Sequence, residues 1–266
     1  MKFDNVLIAS DYDGTLYNNE GIITAEVRYK IAYFIANGGK FTVSTGRTFQ
    51  GFSAYEKSYI NAPVLLSNGA VAYDYENNSL CFADTVGEEI FDALRNLLKR
   101  FPTVSIEMYS FFDSFVINNC DVSARHLTSQ GINFSEVIDP SEAKAPWSKV
   151  MIFSQNDSAA VQAFLTAEHP EVHFLPTAGS YIEIMNTSVD KGSGLLKLAD
   201  TLSIPHNRVY AVGDGYNAVE MLVAAECGFV PCNGSEEALS VAGQVVRSND
   251  EGAVAHVIEI LDEIYS

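Results

Sequence analysis

The chain has 266 residues, enough for one large domain or two moderate ones, and a composition of 47% hydrophobic and 19% charged residues, as in a globular protein with its own core. Acidic residues outnumber basic ones 34 to 16, a formal charge of −18. Such a surface repels nucleic acid and anionic membranes, so neither is expected as a partner. The four cysteines, Cys81, Cys120, Cys227 and Cys232, form no CxxC pair and no zinc-like spacing with histidine. Reduced thiols and a cytoplasmic location are therefore expected. No run of about 18 apolar residues occurs, and the amino terminus carries no basic segment followed by a long apolar stretch.

Val6 to Ala9 is a compact apolar run that reads as a buried strand, followed by Asp11-Tyr12-Asp13-Gly14-Thr15-Leu16. If the strand continues, the two carboxylates point the same way before Gly14 permits a sharp turn. Thr24 to Ala36 reads as a helix with Thr24 as N-cap and Gly38-Gly39 as its stop. A second strand, Phe41 to Ser44, ends in Thr45-Gly46-Arg47. A further helical segment leads to Pro63 and a third strand, Val64 to Leu66, which ends in Ser67-Asn68-Gly69. This alternation specifies a parallel sheet with helices on its faces, where ligands collect at the carboxyl ends of strands.

From about Ala83 the pattern changes. Val86 to Arg100 reads as one helix, Val104 to Met108 and Phe115 to Asn118 as strands, and Val122 to Gln130 as a helix. Val150 to Phe153, a helix from Ser158 to Glu168 and a strand from Val172 to Leu175 follow. These make an α+β insert of about one hundred residues, large enough for its own core. Alternation then returns: helix Lys191 to Leu202, strand Val209 to Val212, helix Asn217 to Ala225, short strands at Gly228 to Val230 and Val245-Val246, and a final helix from Gly252 to Ile264. The expected domains are a core of residues 1–83 and 187–266 and an inserted cap of residues 84–186.

Carboxylates gathered at strand ends repel unless a cation or a proton intervenes, and a hard divalent cation is the economical answer. Hydrolysing a phosphate ester through a covalent step needs a nucleophile, cations on the phosphoryl oxygens, a proton for the leaving oxygen and an activated water. Asp11 can supply the nucleophile and Asp13 the acid and base. Thr45 offers a hydroxyl donor, Lys191 a cation that also restrains Asp11, and Asp214 in Gly213-Asp214-Gly215 a metal ligand. Taken singly, each is better read as a turn or a solvated lysine, and Lys191 at a helix start opposes the dipole. Their joint occurrence, in order and each at a strand end or helix start, favours the functional reading.

With these residues in place, the sequence resembles the haloacid dehalogenase superfamily of phosphohydrolases, specifically its Cof-type group with a large cap. Asp11–Thr15 matches the first motif, Ser44–Arg47 the second, Lys191 within Ser188–Gly192 the third, and Gly213–Asn217 the fourth. Ser67–Ala70 and Ser248–Gly252 also fit that group. The resemblance implies a Rossmann-like, doubly wound core, an α/β cap and Mg²⁺. It implies Asp11 as nucleophile and metal ligand, Asp13 as acid/base and carbonyl ligand, and Asp214 as metal ligand. Thr45, Gly46, Arg47, Asn68, Lys191 and Asn217 would contact the phosphate.

The fourth motif departs from the family pattern, because Ala218 stands where a second Asp is usual. That loss is expected to weaken Mg²⁺ binding about 10–100-fold, and Glu220, two places along a helix, faces elsewhere. Glu107 with Tyr109 and Tyr181 with Glu183 alternate as strand residues do, and no pair of histidines has ligand spacing. Trp147 reads as a packing residue. The leading expectation is a Mg²⁺-dependent phosphomonoesterase for small phosphorylated metabolites, sugar phosphates first. In it the cap closes over the substrate, and the protein is a monomer or weak homodimer. A phosphomutase or trehalose-phosphate-type phosphatase, and a phosphate-ligand sensor that has lost turnover, are the alternatives.

Overall fold

The computed structural model describes residues 1–154, 158–170, 172–175 and 181–266. In chain order the first elements are β1 (Leu7–Ser10), α1 (Ala25–Ala36), β2 (Lys40–Val43), α2 (Phe49–Ser53), β3 (Val64–Leu66), β4 (Val71–Asp74) and β5 (Ser79–Ala83). There follow α3 (Phe91–Arg100), β6 (Ser105–Tyr109), β7 (Ser114–Ile117), α4 (Asp121–Gln130), β8 (Ser135–Glu136), β9 (Lys149–Phe153), α5 (Ser158–Glu168), β10 (Phe174–Leu175) and β11 (Tyr181–Ile184). The last are α6 (Lys191–Thr201), β12 (Val209–Val212), α7 (Val219–Ala224), β13 (Cys227–Pro231), α8 (Glu236–Ser240), β14 (Gln244–Val246) and α9 (Ala253–Ile264).

By contacts the chain divides into two compact units. One comprises Met1–Gly46, Glu56–Phe82 and Val189–Ser266, and the other Arg47–Tyr55 and Ala83–Ser188. The first is an α/β unit whose five-stranded parallel sheet has the order β14-β13-β12-β1-β2. Its central strands β1 and β12 are buried along their whole length because both sheet faces are covered. Leu7 and Ala9 join Leu195, Leu198, Met221 and Leu222 of α6 and α7 in one core, while α1 packs on α9 and on β2. The chain builds outward from β1 to β2 and then returns to the other side at β12. The topological switch point therefore lies between β1 and β12, and in open α/β sheets that crevice is where ligands bind.

Two expectations for this unit change. Beyond β3, which joins β2 through a parallel bridge of Ser44 with Leu65, the chain forms an antiparallel three-stranded sheet, β3-β4-β5. The alternation pattern does not announce that hairpin. Its turn is encoded locally, by the Asp74 carboxylate accepting from the main chain of Glu76 and Asn77 and by Asn78 at φ +51°. The segment expected to be a helix leading to Pro63 is only the short α2, and α2 packs on α4 in the second unit.

The second unit is a six-stranded sheet, order β10-β11-β9-β6-β7-β8, mostly antiparallel. Val86 to Arg100 is not one helix. Val86 pairs through its main chain with Trp147, Gly87 is extended, and α3 starts only at Phe91. Trp147 is fully buried against Phe91, as a packing residue should be. Behind the opposite sheet face, the buried Glu107 carboxylate accepts from Tyr109, Ser123 (2.6 Å) and His126 (2.8 Å). Lys149 donates to Glu183 at 3.0 Å. These groups satisfy one another, which is how charge is tolerated in a core. Burial, with the Glu107 carboxylate next, pushes the Tyr109 phenol well up.

Candidate active site

β1 ends at Ser10, one residue before the first carboxylate, so the strand does not carry Asp11 and Asp13 on one face as expected. Asp11 keeps one sheet bond, its N–H donating to the Val212 carbonyl at 2.7 Å. The chain then enters a widened turn over Tyr12–Leu16, closed by the Tyr17 N–H on the Tyr12 carbonyl at 3.2 Å. Gly14 sits at φ +75°, and a Cβ there would lie 2.4 Å from Asp214 Oδ2, so this position requires glycine twice over. The turn separates the two aspartates: Asp11 is 6% exposed, whereas Asp13 is open to solvent.

Each oxygen of Asp11 has a donor. Oδ1 accepts from the Tyr12 N–H at 2.7 Å and Oδ2 from Lys191 Nζ at 2.7 Å. Lys191 is 1% exposed and opens α6. The dipole objection to a lysine there is met by two anions. Asp11 pairs with its ammonium, and Asp190 caps the helix by accepting from Ser193 N–H at 2.7 Å. Two glycines let α6 come this close: a Cβ at Gly194 would lie 2.6 Å from Gly69 Cα, and one at Gly69 would lie 2.5 Å from the Asp190 carbonyl oxygen.

Asp214 follows β12 across the switch point. Its carboxylate accepts from the Thr15 hydroxyl at 2.5 Å, and its carbonyl accepts from the Ser235 N–H at 2.7 Å. Burial raises its pKa, the nearby Asp11 charge raises it further, and the Thr15 hydroxyl opposes the rise. Thr15 belongs to the motif quoted from the sequence, yet nothing in the sequence alone indicated that its hydroxyl would orient Asp214 across 199 residues.

The second and phosphate-binding candidates form a neighbouring group. Ser44 N–H donates to the Ser10 carbonyl at 2.9 Å, which brings buried Thr45 alongside Asp11. Thr45 N–H donates to Leu65, and its carbonyl accepts from the Asn68 N–H at 3.0 Å. Asn68 is left-handed at φ +51°, and a Cβ at Gly46 would lie 2.9 Å from its Oδ1. Asn217 is half-buried in the turn after Asp214. Arg47 differs from this group: its guanidinium donates to Gln130 of α4 at 2.6 Å and lies over Tyr55 at 4.8 Å, contacts within the second unit.

Asp11, Asp214 and the Asp13 carbonyl could together supply an all-oxygen donor set, the kind that suits a hard cation such as Mg²⁺. Burial first, and the Asp11 charge after it, raise the Asp214 pKa, and a bound cation would act against both. Among the described residues no three His, Cys, Asp or Glu side chains gather around a metal position, so a cation here depends on main-chain and water oxygens for the rest. Ala218 is fully buried in the core that α6 and α7 share with the central strands, and Glu220 is exposed. No side-chain oxygen comes from position 218.

Residues 8–258 match the model of the haloacid dehalogenase-like hydrolases. YxeH of Bacillus subtilis strain 168 is 29% identical over 269 residues, covering 96% of this chain and 97% of its own. From the same organism, 5-amino-6-(5-phospho-D-ribitylamino)uracil phosphatase YitU is 27% identical over 277 residues, covering 97% and 98%. A crystal structure of a haloacid dehalogenase-like hydrolase from Bacteroides thetaiotaomicron superposes with a TM-score of 0.85 at 22% identity, covering 96% of this chain and 98% of that one.

Proposed function

The chain belongs to the haloacid dehalogenase-like hydrolases and is a phosphatase, and from that premise we propose that it hydrolyses phosphomonoesters of small polyols or sugars through an aspartyl-phosphate. The observation that carries the reading is the buried Asp11–Lys191 pair at 2.7 Å, set at the switch point beside Asp214. Lys191 on Oδ2 and the Tyr12 N–H on Oδ1 hold the Asp11 carboxylate in one orientation, and each oxygen keeps a further lone pair for attack on phosphorus.

In this mechanism Asp11 Oδ1 or Oδ2 forms a bond to phosphorus as the ester oxygen departs, and Asp13, exposed one turn away, gives that oxygen its proton. Asp13 then takes a proton from water, which attacks phosphorus, restores the Asp11 carboxylate and releases inorganic phosphate. Lys191 and the Thr45 hydroxyl neutralise phosphoryl oxygens, with Gly46, Asn68 and Asn217 as further contacts. Mg²⁺ would be held by Asp11, Asp214 and the Asp13 carbonyl and would offset the charge of the phosphoryl group. The name of YitU describes a primary phosphate ester on a ribityl chain, which supports a polyol phosphate. Selectivity for the leaving group is assigned to the inserted residues 84–186.

The buried Ala218 favours a second reading, a phosphate-ligand sensor with feeble turnover. Hydrolysis of p-nitrophenyl phosphate across a Mg²⁺ titration separates the two. Measurable turnover in wild type, abolished in Asp11→Asn, supports the phosphatase mechanism; full activity in Asp11→Asn refutes the assigned nucleophile. A panel of phosphorylated metabolites then identifies the substrate.

A further inference from the structure

Tyr17 is gripped from both sides. Its N–H closes the turn that carries Asp13 and Gly14, and its carbonyl accepts from Asn249 Nδ2 at 3.1 Å. The same amide group donates to Asn19 Oδ1 at 3.3 Å. Asp250, the next residue, accepts from the Asn19 N–H at 2.8 Å and from its Nδ2 at 2.6 Å. Asn249 is 3% exposed, and a reciprocal amide pair with Asn233, just past β13, sets its own position. Asn233 Nδ2 donates to Asn249 Oδ1 at 3.0 Å, and the Asn249 N–H donates to Asn233 Oδ1 at 3.1 Å.

We propose that Asn249 is a positioning residue for Asp13. An amide neither titrates nor attacks, and here both of its polar ends are committed to holding other groups. Through Tyr17 it fixes the far end of the turn Tyr12–Leu16, whose near end is fixed by the Asp11 N–H on Val212. Asp13 lies between and is open to solvent. Thr15 ties the middle of the turn to Asp214, and release of Tyr17 would loosen its closing end and shift the Asp13 carboxylate, where proton transfer tolerates little misplacement. The late segment Ser248–Gly252 thereby acts on the chemistry of a segment more than two hundred residues away. This inference rests on the assignment of Asp13 as the acid in the mechanism above.

The leaving group provides the test. The specificity constant kcat/KM spans the steps up to departure of the ester oxygen. p-Nitrophenolate departs without a proton, whereas the alkoxide of a sugar or polyol phosphate needs one. Asn249→Ala should lower kcat/KM by at least about tenfold for the polyol or sugar phosphate that wild type hydrolyses best, but by no more than about threefold for p-nitrophenyl phosphate. Asn249→Asp keeps the side-chain shape and the acceptor for Asn233 while losing the donors to Tyr17 and Asn19, and should show the same selective loss if the alanine variant folds poorly. Asn61→Ala is the control for mere stability. Asn61 makes an equivalent clamp elsewhere in the sheet, accepting from Phe41 N–H at 2.8 Å and donating to the Gly39 carbonyl at 3.0 Å. It should lower Tm and leave the ratio of the two specificity constants unchanged. Equal losses on both esters, or no loss, in the Asn249 variants would overturn the proposal. Wild type hydrolysing neither ester would instead refute the phosphatase mechanism on which it rests.

Discussion

Replacing Ala218 by aspartate restores the carboxylate that the family pattern places there, and the structure lets its consequences be worked out with opposite signs. Ala218 is fully buried in the core that α6 and α7 share with the central strands, and its Cβ is 2.5 Å from where a Cβ on Gly213 would sit. Without a cation, the new carboxylate is buried near Asp11 and Asp214 with no assigned donor. An unsatisfied buried polar group costs about 1–3 kcal/mol, and each kcal/mol shifts Tm by about 2–4 °C in a protein of this size. With Mg²⁺, a regained outer-sphere partner tightens metal binding about 10–100-fold, equivalent to about 1.4–2.7 kcal/mol of binding free energy. Ala218→Asp should therefore melt several degrees below wild type in chelator and close or reverse that gap as Mg²⁺ is added, because a ligand stabilises the state that binds it. Differential scanning fluorimetry across a Mg²⁺ titration reads this directly, with calorimetric Mg²⁺ affinity as the second readout. Equal Mg²⁺ affinity in the two proteins would refute the reasoning. So would a wild type that turns nothing over at saturating Mg²⁺ while Ala218→Asp does, since that favours natural inactivity.

Three further outcomes follow from the same geometry. Lys191→Met leaves the Asp11 carboxylate buried beside Asp214 with only the Tyr12 N–H, and should cost about 3–5 kcal/mol in urea unfolding; a loss below about 1 kcal/mol would mean that solvent reaches Asp11 easily. Gly14→Ala puts a methyl at φ +75° and 2.4 Å from Asp214 Oδ2, so about 1–2 kcal/mol of backbone strain should come with a displaced Asp214 and a steep fall in kcat. Activity at the wild-type level would contradict the close approach. Burial pushes the phenols of Tyr12, Tyr59, Tyr109 and Tyr210 up, while unfolded tyrosines ionise near about pH 10. Groups raised in this way contribute stability that is complete below the unfolded pKa and is lost as pH rises towards the folded values. The urea midpoint should thus fall above about pH 10, and phenolate absorbance should show fewer than the 13 tyrosines ionising until the chain unfolds. Full ionisation of the folded protein near that pH would count against the burial.

Much of the catalytic vocabulary is local, and so the sequence alone determined it. Apolar runs such as Leu7–Ala9 and Val209–Val212, short and bounded by turn residues in an alternating chain, read as buried strands of a parallel sheet, with the polar residues after them at its carboxyl edge. Thr24 before an apolar period reads as a cap from its neighbours alone, and it does accept from a main-chain N–H three residues on. Asp11, Lys191 and Asp214 are nominated by occurring together, in order and each at a strand end or helix start, and not by side-chain identity alone.

Only the tertiary structure decided what those groups meet. Lys191 reads locally as a solvated helix-start residue; it is buried because Gly69 and Gly194 let α6 approach and because Asp11 waits there, 180 residues away in sequence. Arg47 belongs by sequence to the motif of Thr45 and Gly46, yet its guanidinium pairs with Gln130, since α2 packs on α4. The strand does not run on through Asp11 and Asp13, because the Tyr17 N–H finds the Tyr12 carbonyl and Gly14 must clear Asp214. Asn249 is an ordinary loop asparagine until Tyr17 and Asn233 come within reach of it. Propensity and periodicity act over a few neighbouring residues, whereas these contacts close loops of tens to hundreds of residues, and the packing of the whole sheet selects them.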